Sequence, residues 1–472
     1  MPNTPEVERR IDAIRFLSVD AVQKANSGHP GLPLGAAAFA YTLWTRHLRF
    51  NPKDPQWFDR DRFILSAGHG SMLLYALLYL TGYDLSLDDI KQFRQLGSKT
   101  PGHPEYSHTP GVEVTTGPLG QGVGNAVGMA VAEAHMAAVY NRDVKIVDHY
   151  TYCLCSDGDL MEGLSHEAAS FAGHCRLGKL IFLYDDNKVS LAGPTDITFT
   201  DEHLLRFQSY GWHTELVDIQ HGNDLEAVDS AITAAKGVTD RPSFIAIRTH
   251  IGYGSPKQDT FKAHGEPLGP QAVKETKEKL GWPLEPDFYV PDDVLQFYRE
   301  VGAKGARLQS EWQQRYDAWK AQESELAKQF ERTLAAQLPA QIPWPTMKGD
   351  ELNVATRESG GSVMNAIAGA LPELVGGSAD LDPSTKTYLK DFGDFEPGSY
   401  AGRNIHYGVR EHGMAAINNG IAMHGGLLPF GATFFNFTDY MKPSMRLAAI
   451  TKTRTIYVLT HDSIFLGEDG PT

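Results

Sequence analysis

In VERRIDAIRFLSVDAVQKA, residues 7–25, apolar positions recur every three to four residues, the period of an amphipathic helix. Short apolar runs follow and alternate with further helical stretches. RFILS (62–66), HYTYCLC (149–155), KLIFLYDDN (179–187), HTELVDI (213–219) and SFIAIRTHIG (243–252) predict strands. MLLYALLYLTG (72–82), SHEAASFAGHC (165–175), DEHLLRFQSYGW (201–212) and LEAVDSAITAAKG (225–237) predict helices, with Ser165 and Asp224 as expected caps. Strands alternating with helices predict an α/β protein with a doubly wound, mostly parallel sheet. In that architecture ligands sit at the carboxyl ends of strands, so strand-to-loop junctions are where chemistry is sought.

The pattern changes near residue 294. The stretch to 337 is rich in charge and helix formers and predicts a helical connector with a solvated face, followed by the Pro-containing linker QLPAQIPWPTMKG. A second α/β pattern then begins. Helices are expected in SVMNAIAGAL, EHGMAAINNGIAMHGG and FNFTDYMKPSMRLAAI, and strands in ELVGGSAD, LLPFGAT and TIYVLTHDSI. The expected organisation is a first domain over 1–325, a linker over 326–350 and a second domain over 351–472.

The 472 residues are 42% hydrophobic and 21% charged, as in an ordinary globular protein. A net charge of −15 argues against nucleic acid as a partner, because a polyanion needs a basic field. No run of about 18 apolar residues suggests a membrane span, and the N-terminus is not a signal peptide. Three cysteines in so long a chain fit a reducing cytoplasm, and Cys153 and Cys155 read as small core residues on one strand face.

The densest polar stretch is CSDGDLMEG, residues 155–163, at the mouth of a predicted strand. Asp157 ends one strand and Asn187 the next, thirty residues on, which is the length of a strand, crossover helix and strand. A carboxylate, an amide oxygen and a loop carbonyl converging there suit a hard divalent cation. Capping acids on a turn account for the same residues, and the spacing by itself leaves both open. His29, His69 and His103 lie in Gly- or Pro-flanked loops, where they are surface residues or members of a shared cleft. GPLGQGVGN is a Gly-rich entry to a helix, where free amides favour a phosphate. Glu411 is a helix N-terminal acid favoured by the dipole, or a functional carboxyl. Phe434, Phe437 and Tyr440 fall at i, i+3 and i+6, ordinarily a core stripe.

The run from SDG through thirty residues to Asn187 resembles the diphosphate-binding signature of thiamine diphosphate enzymes, with Ser156 in place of the usual first Gly. NSGHPG (26–31), LSAGHGS (65–71), PGHPE (101–105), TTGPLGQG (115–122), GGSADL, YGVREHGM, GATFFNF and HDSIFLGEDGPT narrow the resemblance to transketolase across essentially the whole chain. The resemblance implies the thiamine diphosphate-binding fold and transfer of a two-carbon ketol unit. The donor would be xylulose 5-phosphate and the acceptor ribose 5-phosphate or erythrose 4-phosphate, in the pentose phosphate pathway or Calvin cycle. It implies Mg²⁺, or Ca²⁺ or another divalent cation, held by Asp157, Asn187 and the Val189 carbonyl. His69, Gly158, Glu162 and His264 would line the diphosphate, with the Gly117-Pro118-Leu119 backbone beside the cofactor ring. Glu411 would face the aminopyrimidine and Phe437 would stack on it. Arg357 and Ser384 would grip a sugar phosphate. His461 and Asp469 would contact the donor, and His29, His103 and His264 would bind hydroxyls and shuttle protons. A homodimer is implied, with the cofactor between the first domain of one subunit and the second of the other. Dihydroxyacetone synthase is the runner-up, and pyruvate dehydrogenase-like chains suit the PGHPE and HDSI loops less well.

Three departures stand out. Phe465 occupies a position usually small in the family and is expected to press on the loop carrying Asp469, and Ala192 stands where an acid is frequent. The family also continues past GEDGPT into further strands and a third domain. The expectation is therefore an incomplete second domain, an absent C-terminal domain, and little activity for this chain alone. An inactive truncated module is the alternative to an active transferase.

Overall fold

The computed structural model describes residues 3–218, 223–349 and 353–472. The expected junction at 350/351 and the last residue of the 213–219 strand lie outside them. Two units are present. The first comprises 1–123, 149–165 and 177–312, and the second 124–148, 166–176 and 313–472.

The first helix, Pro5–Ala25, has the ends its sequence specifies. Thr4 Oγ1 accepts from Val7 N, Pro5 starts the first turn, Glu6 and Glu8 face the positive end of the dipole, and Asn26 closes it at φ 48°. In the first unit, β1 (Arg62–Leu65), β2 (Thr151–Ser156), β3 (Leu180–Asp186), β4 (His213–Val217) and β5 (Ser243–Arg248) form one sheet. The strand order is β1-β2-β3-β5-β4 and every pairing is parallel. Strands β2 and β3 are buried along their whole length, which is why they read as continuous apolar runs. Their register pairs Ser156 with Asp185, so Asp157 and Asn187 leave the sheet side by side. Cys153 and Cys155 are buried free thiols, as is Cys175 in the second unit.

Asp224 caps helix Leu225–Gly237, accepting from Glu226 N and Ala227 N. Ser165 does not cap its helix. Gly163 already starts that helix, and Ser165 Oγ instead donates to Asp159 O at 2.5 Å.

In the second unit β6 (Leu374–Ser378), β7 (Leu428–Phe434) and β8 (Ile456–Thr460) pair in parallel in that order. The charged stretch after residue 292 is helical over Asp292–Gln322 and Ser324–Leu334, so the expected linker begins as helix. Trp319 and Phe330, on those helices, are each 1% exposed, and burying one such ring contributes roughly 2–3 kcal/mol. Among the described residues no helix is long and apolar enough to cross a membrane.

Candidate active site

The carboxyl ends of β1, β2 and β3 open into a cleft of about 490 Å³ in the first unit. Asp157, Gly158 and Glu162 follow β2, and Asn187 and Val189 follow β3. His69 lies in a 3₁₀ turn, Gly68–Gly70, after β1. His29, His103, His264, Gly117 and Leu119 also line it, while Pro118 is exposed and is not among the lining residues.

Asp157 is 2% exposed. Its Oδ1 accepts the Tyr184 hydroxyl at 2.5 Å, and its Oδ2 is buried without a hydrogen bond. Burial, with Asp186 and Asp185 nearby, pushes its pKa up to about 7 against the opposing pull of Tyr184. Asn187 is oriented from both sides. Its Nδ2 donates to Asp185 Oδ2 at 2.8 Å and its Oδ1 accepts from Val189 N at 3.0 Å. Asp185 also accepts the Thr249 hydroxyl. Among the described residues no three His, Cys, Asp or Glu side chains gather to hold a metal. The expected set asks for only one of them, with amide and carbonyl oxygens for the rest. The residues fit a hard cation, because the buried Asp157 Oδ2 has no hydrogen-bond donor and stands near the carboxyls of Asp185 and Asp186, where a positive charge would favour its ionised form. The Gly158 loop also packs closely on the Gly117–Gly120 loop: a Cβ on Gly158 would lie 2.7 Å from Leu119 Cδ1, so a larger residue there would have to displace the Leu119 side chain.

The histidines do share one cleft. Ring centroids lie 5.2 Å apart for His29 and His69, 6.3 Å for His29 and His103, 5.9 Å for His29 and His264, and 5.0 Å for His69 and His264. Burial first, then mutual proximity and Arg94, lowers His29 to about 4, and burial likewise lowers His69, His103 and His264, with hydrogen bonding to the Val189 backbone working the other way at His264. All four imidazoles are therefore neutral near pH 7, able to donate and accept hydrogen bonds to hydroxyls. The unfolded chain takes up protons near 6.5 that folded His29 refuses until about 4, so protonation favours unfolding in that window. The raised carboxyls of Asp157 and Asp185 act in the opposite sense over the same window, so the test is a comparison: between pH 6.5 and 4 the melting midpoint of unliganded wild type is expected to fall relative to that of His29→Asn. A difference between the two that does not change with pH would contradict the buried neutral His29.

The second unit holds the other expected residues. Glu411, 8% exposed, opens helix Glu411–His424, and its Oε1 accepts Thr433 Oγ1 at 3.1 Å. Arg357 and His461 meet, Nη1 to Nε2, at 2.8 Å, and the His461 ring lies 3.8 Å from that of Phe434. Ser384 sits in the short helix Asp382–Thr385 and Asp469 is exposed. Neither is hydrogen-bonded to Arg357 or His461 among the described residues. The aromatic stripe is not core. Phe437 stacks on Phe434 at 5.7 Å and is half-buried, and Tyr440 is 65% exposed. Phe465 is 91% exposed, so its ring presses on nothing, and Ala192 lines the cleft.

Sequence reasoning missed several residues. Of the two sequence readings of Asp159, helix capping holds, in a capping box with Ser156 on helix Asp157–Met161, and solvent exposure does not, since it is 0% exposed; its bonds to other loops were missed. Tyr184 reads as an ordinary strand residue and Asp185 as an ordinary strand-end acid, yet each orients an expected metal ligand. Arg94 Nη2 lies 3.4 Å from His29 Nδ1. Glu167 Oε2 accepts from Gly413 N at 2.7 Å, beside Glu411. Only the S-x-x-D pattern of residues 156–159 offered a signal in advance.

Residues 7–339 match the family model for the transketolase thiamine diphosphate-binding domain, and residues 353–472 match that for the transketolase pyrimidine-binding domain. A transketolase of Nostoc sp. is 56% identical and one of Geobacillus stearothermophilus 54%, each over 98% of this chain and 70% of the relative. Among solved structures, a Pichia stipitis transketolase complexed with sedoheptulose 7-phosphate superposes with a TM-score of 0.95 at 46% identity, over 99% of this chain and 70% of that one. A Campylobacter jejuni transketolase gives 0.92 at 44% identity, over 100% and 71%.

Proposed function

This chain belongs to the transketolase family, and on that premise we propose that its cleft holds thiamine diphosphate through a divalent cation, magnesium first, in a homodimer acting on sugar phosphates. The reaction of a transketolase is transfer of a two-carbon ketol unit from a ketose phosphate to an aldose phosphate. We take xylulose 5-phosphate as donor and ribose 5-phosphate or erythrose 4-phosphate as acceptors. The observation that carries the site is the buried, unpartnered Oδ2 of Asp157 beside the fixed amide of Asn187. Asp157, Asn187 and the Val189 carbonyl would hold the cation, and His69, Gly158, Glu162 and His264 would line the diphosphate. When bound, the cofactor supplies the nucleophilic carbon that the protein lacks.

The chain's own residues supply binding and proton transfer. Glu411, whose Oε1 accepts from Thr433 Oγ1, would hold a proton against an aminopyrimidine, with Phe437 as a face for that ring. Neutral His29, His103 and His264 would bind hydroxyls and relay protons. Arg357, with His461 beside it, suits a phosphate, because a guanidinium forks onto two oxygens, and Ser384 and Asp469 would add contacts to the donor. Exposed Val409, Phe435 and Tyr440 lie next in sequence to Glu411 and Phe437, and an assembly that covers them supports the dimer. Buried free thiols suit a reducing compartment such as the cytoplasm.

After dialysis against a chelator, turnover of xylulose 5-phosphate with ribose 5-phosphate is expected to require both thiamine diphosphate and a divalent cation. Light scattering should give twice the chain mass. Full turnover without either addition would sink the cofactor assignment, and a monomer at working concentration would sink the dimer.

A further inference from the structure

Asp159 lies two residues past the expected metal ligand and has no exposed surface. Its two oxygens take four hydrogen bonds from three loops. Oδ1 accepts from Ser66 Oγ at 2.6 Å and Gly120 N at 2.8 Å. Oδ2 accepts from Ser156 N at 2.9 Å and Ser156 Oγ at 3.2 Å. Ser66 follows β1 and leads into His69. Gly120 ends the Gly117–Gly120 loop, and Ser156 ends β2 and leads into Asp157. The knot extends one bond further on each side. Ser66 Oγ accepts from Val123 N at 3.1 Å, and Asp159 O accepts from Ser165 Oγ at 2.5 Å.

All three loops line the same cleft, through His69, through Gly117 and Leu119, and through Asp157 and Gly158. The loops are also seated hard against each other. Gly120 has φ +80°, and a Cβ there would lie 3.0 Å from Glu162 Cβ and 3.0 Å from Ser165 Oγ. A buried carboxylate is a costly way to join loops that apolar packing would also hold. What it adds is direction, because every lone pair is claimed by a particular donor.

We propose that Asp159 is a positioning residue for the cofactor site, fixing the His69, Gly117–Gly120 and Asp157 loops in register so that the cation ligand and the diphosphate cradle are formed before the cofactor arrives. This rests on the cleft being the thiamine diphosphate site. It predicts a particular pattern of damage. In Asp159→Asn one oxygen becomes an NH₂ group, so either Ser156 N–H or Gly120 N–H loses its acceptor whichever way the amide turns. One loop is released while volume is kept.

The experiment compares wild type, Asp159→Asn, Ser66→Ala, the double variant, and Ile232→Ala, a fully buried core position in helix Leu225–Gly237. Each full chain is titrated with thiamine diphosphate at fixed Mg²⁺ by calorimetry, and its unliganded melting midpoint is recorded. Asp159→Asn is expected to weaken cofactor binding by about 10- to 100-fold, the range for partners that orient a ligand. Ile232→Ala should lower the midpoint without that loss. The double variant should lose less affinity than the product of the two single losses, because both changes act on one hydrogen-bond network. Wild-type affinity in Asp159→Asn, or an equal affinity loss in Ile232→Ala at matched midpoint, would overturn the proposal. A wild-type chain that itself fails to bind thiamine diphosphate would overturn the cofactor assignment and this proposal together. Binding by wild type with unchanged Asp159→Asn overturns this one alone.

Discussion

Glu411→Gln is expected to lower kcat by about 10³-fold, within the 10²- to 10⁴-fold that positioned acid–base groups contribute. The substitution is nearly isosteric. The amide oxygen still accepts from Thr433 Oγ1, so the helix start and the strand β7 contact survive. What disappears is an oxygen able to carry a proton. The dipole at the N-terminus of Glu411–His424 favours the carboxylate over the neutral amide by only a fraction of a kcal/mol, so folding should change little. Steady-state rates with xylulose 5-phosphate and ribose 5-phosphate at saturating cofactor separate the two effects. KM values should stay within a few-fold while kcat collapses. A kcat within threefold of wild type would show that the carboxyl is not used.

Asp157→Asn should act on binding instead, and with a telling opposition of signs. Partners that merely orient a metal ligand are worth about 10- to 100-fold in affinity, so loss of the one charged ligand is expected to exceed 100-fold in the magnesium dependence of cofactor binding. The unliganded protein should become more stable at pH 8. Burial lifts the Asp157 carboxyl to about 7 from an ordinary 3.8, so above pH 7 the folded state holds a charge that the unfolded chain carries more cheaply in water. Removing that charge relieves a strain on the order of a few kcal/mol. Calorimetric titration and melts of one preparation test both halves. Asp157→Asn that binds as wild type, or melts lower at pH 8, would contradict the assignment of Asp157.

Much of this site was visible in the sequence because a parallel sheet translates spacing into proximity. Asp157 and Asn187 stand thirty residues apart, yet the Ser156–Asp185 register leaves them adjacent, as a strand, crossover and strand must. His69 reaches the cleft in the same way, on the turn after β1, whereas His29 and His103 come to it on helix-to-helix connections that strand spacing does not predict. Through-space partners were less legible. The pattern Ser156-x-x-Asp159 reads alike whether the turn faces water or two other loops, and only the fold brings Ser66 and Gly120 to it. Tyr184 looks like any buried strand residue until its hydroxyl is seen at Asp157. The spacing of Phe434, Phe437 and Tyr440, ordinarily that of a core stripe, carried no information about a shared buried face, because the three fall on a strand, a 3₁₀ turn and a helix, and Tyr440 is open. Phe465 misled because bulk matters only where neighbours surround it.

The Tyr184 hydroxyl on Asp157 has one more consequence. It occupies one carboxylate oxygen and leaves the other without a hydrogen bond, so under the proposed assignment Asp157 would bind a cation through that single atom. With Asn187 and the Val189 carbonyl, the chain would offer three oxygens and one negative charge. A magnesium ion there would take its remaining partners from phosphate or water. The ion would then be shared property of chain and diphosphate, with thermodynamic reciprocity: whatever factor the metal contributed to cofactor affinity, the cofactor would return to metal affinity.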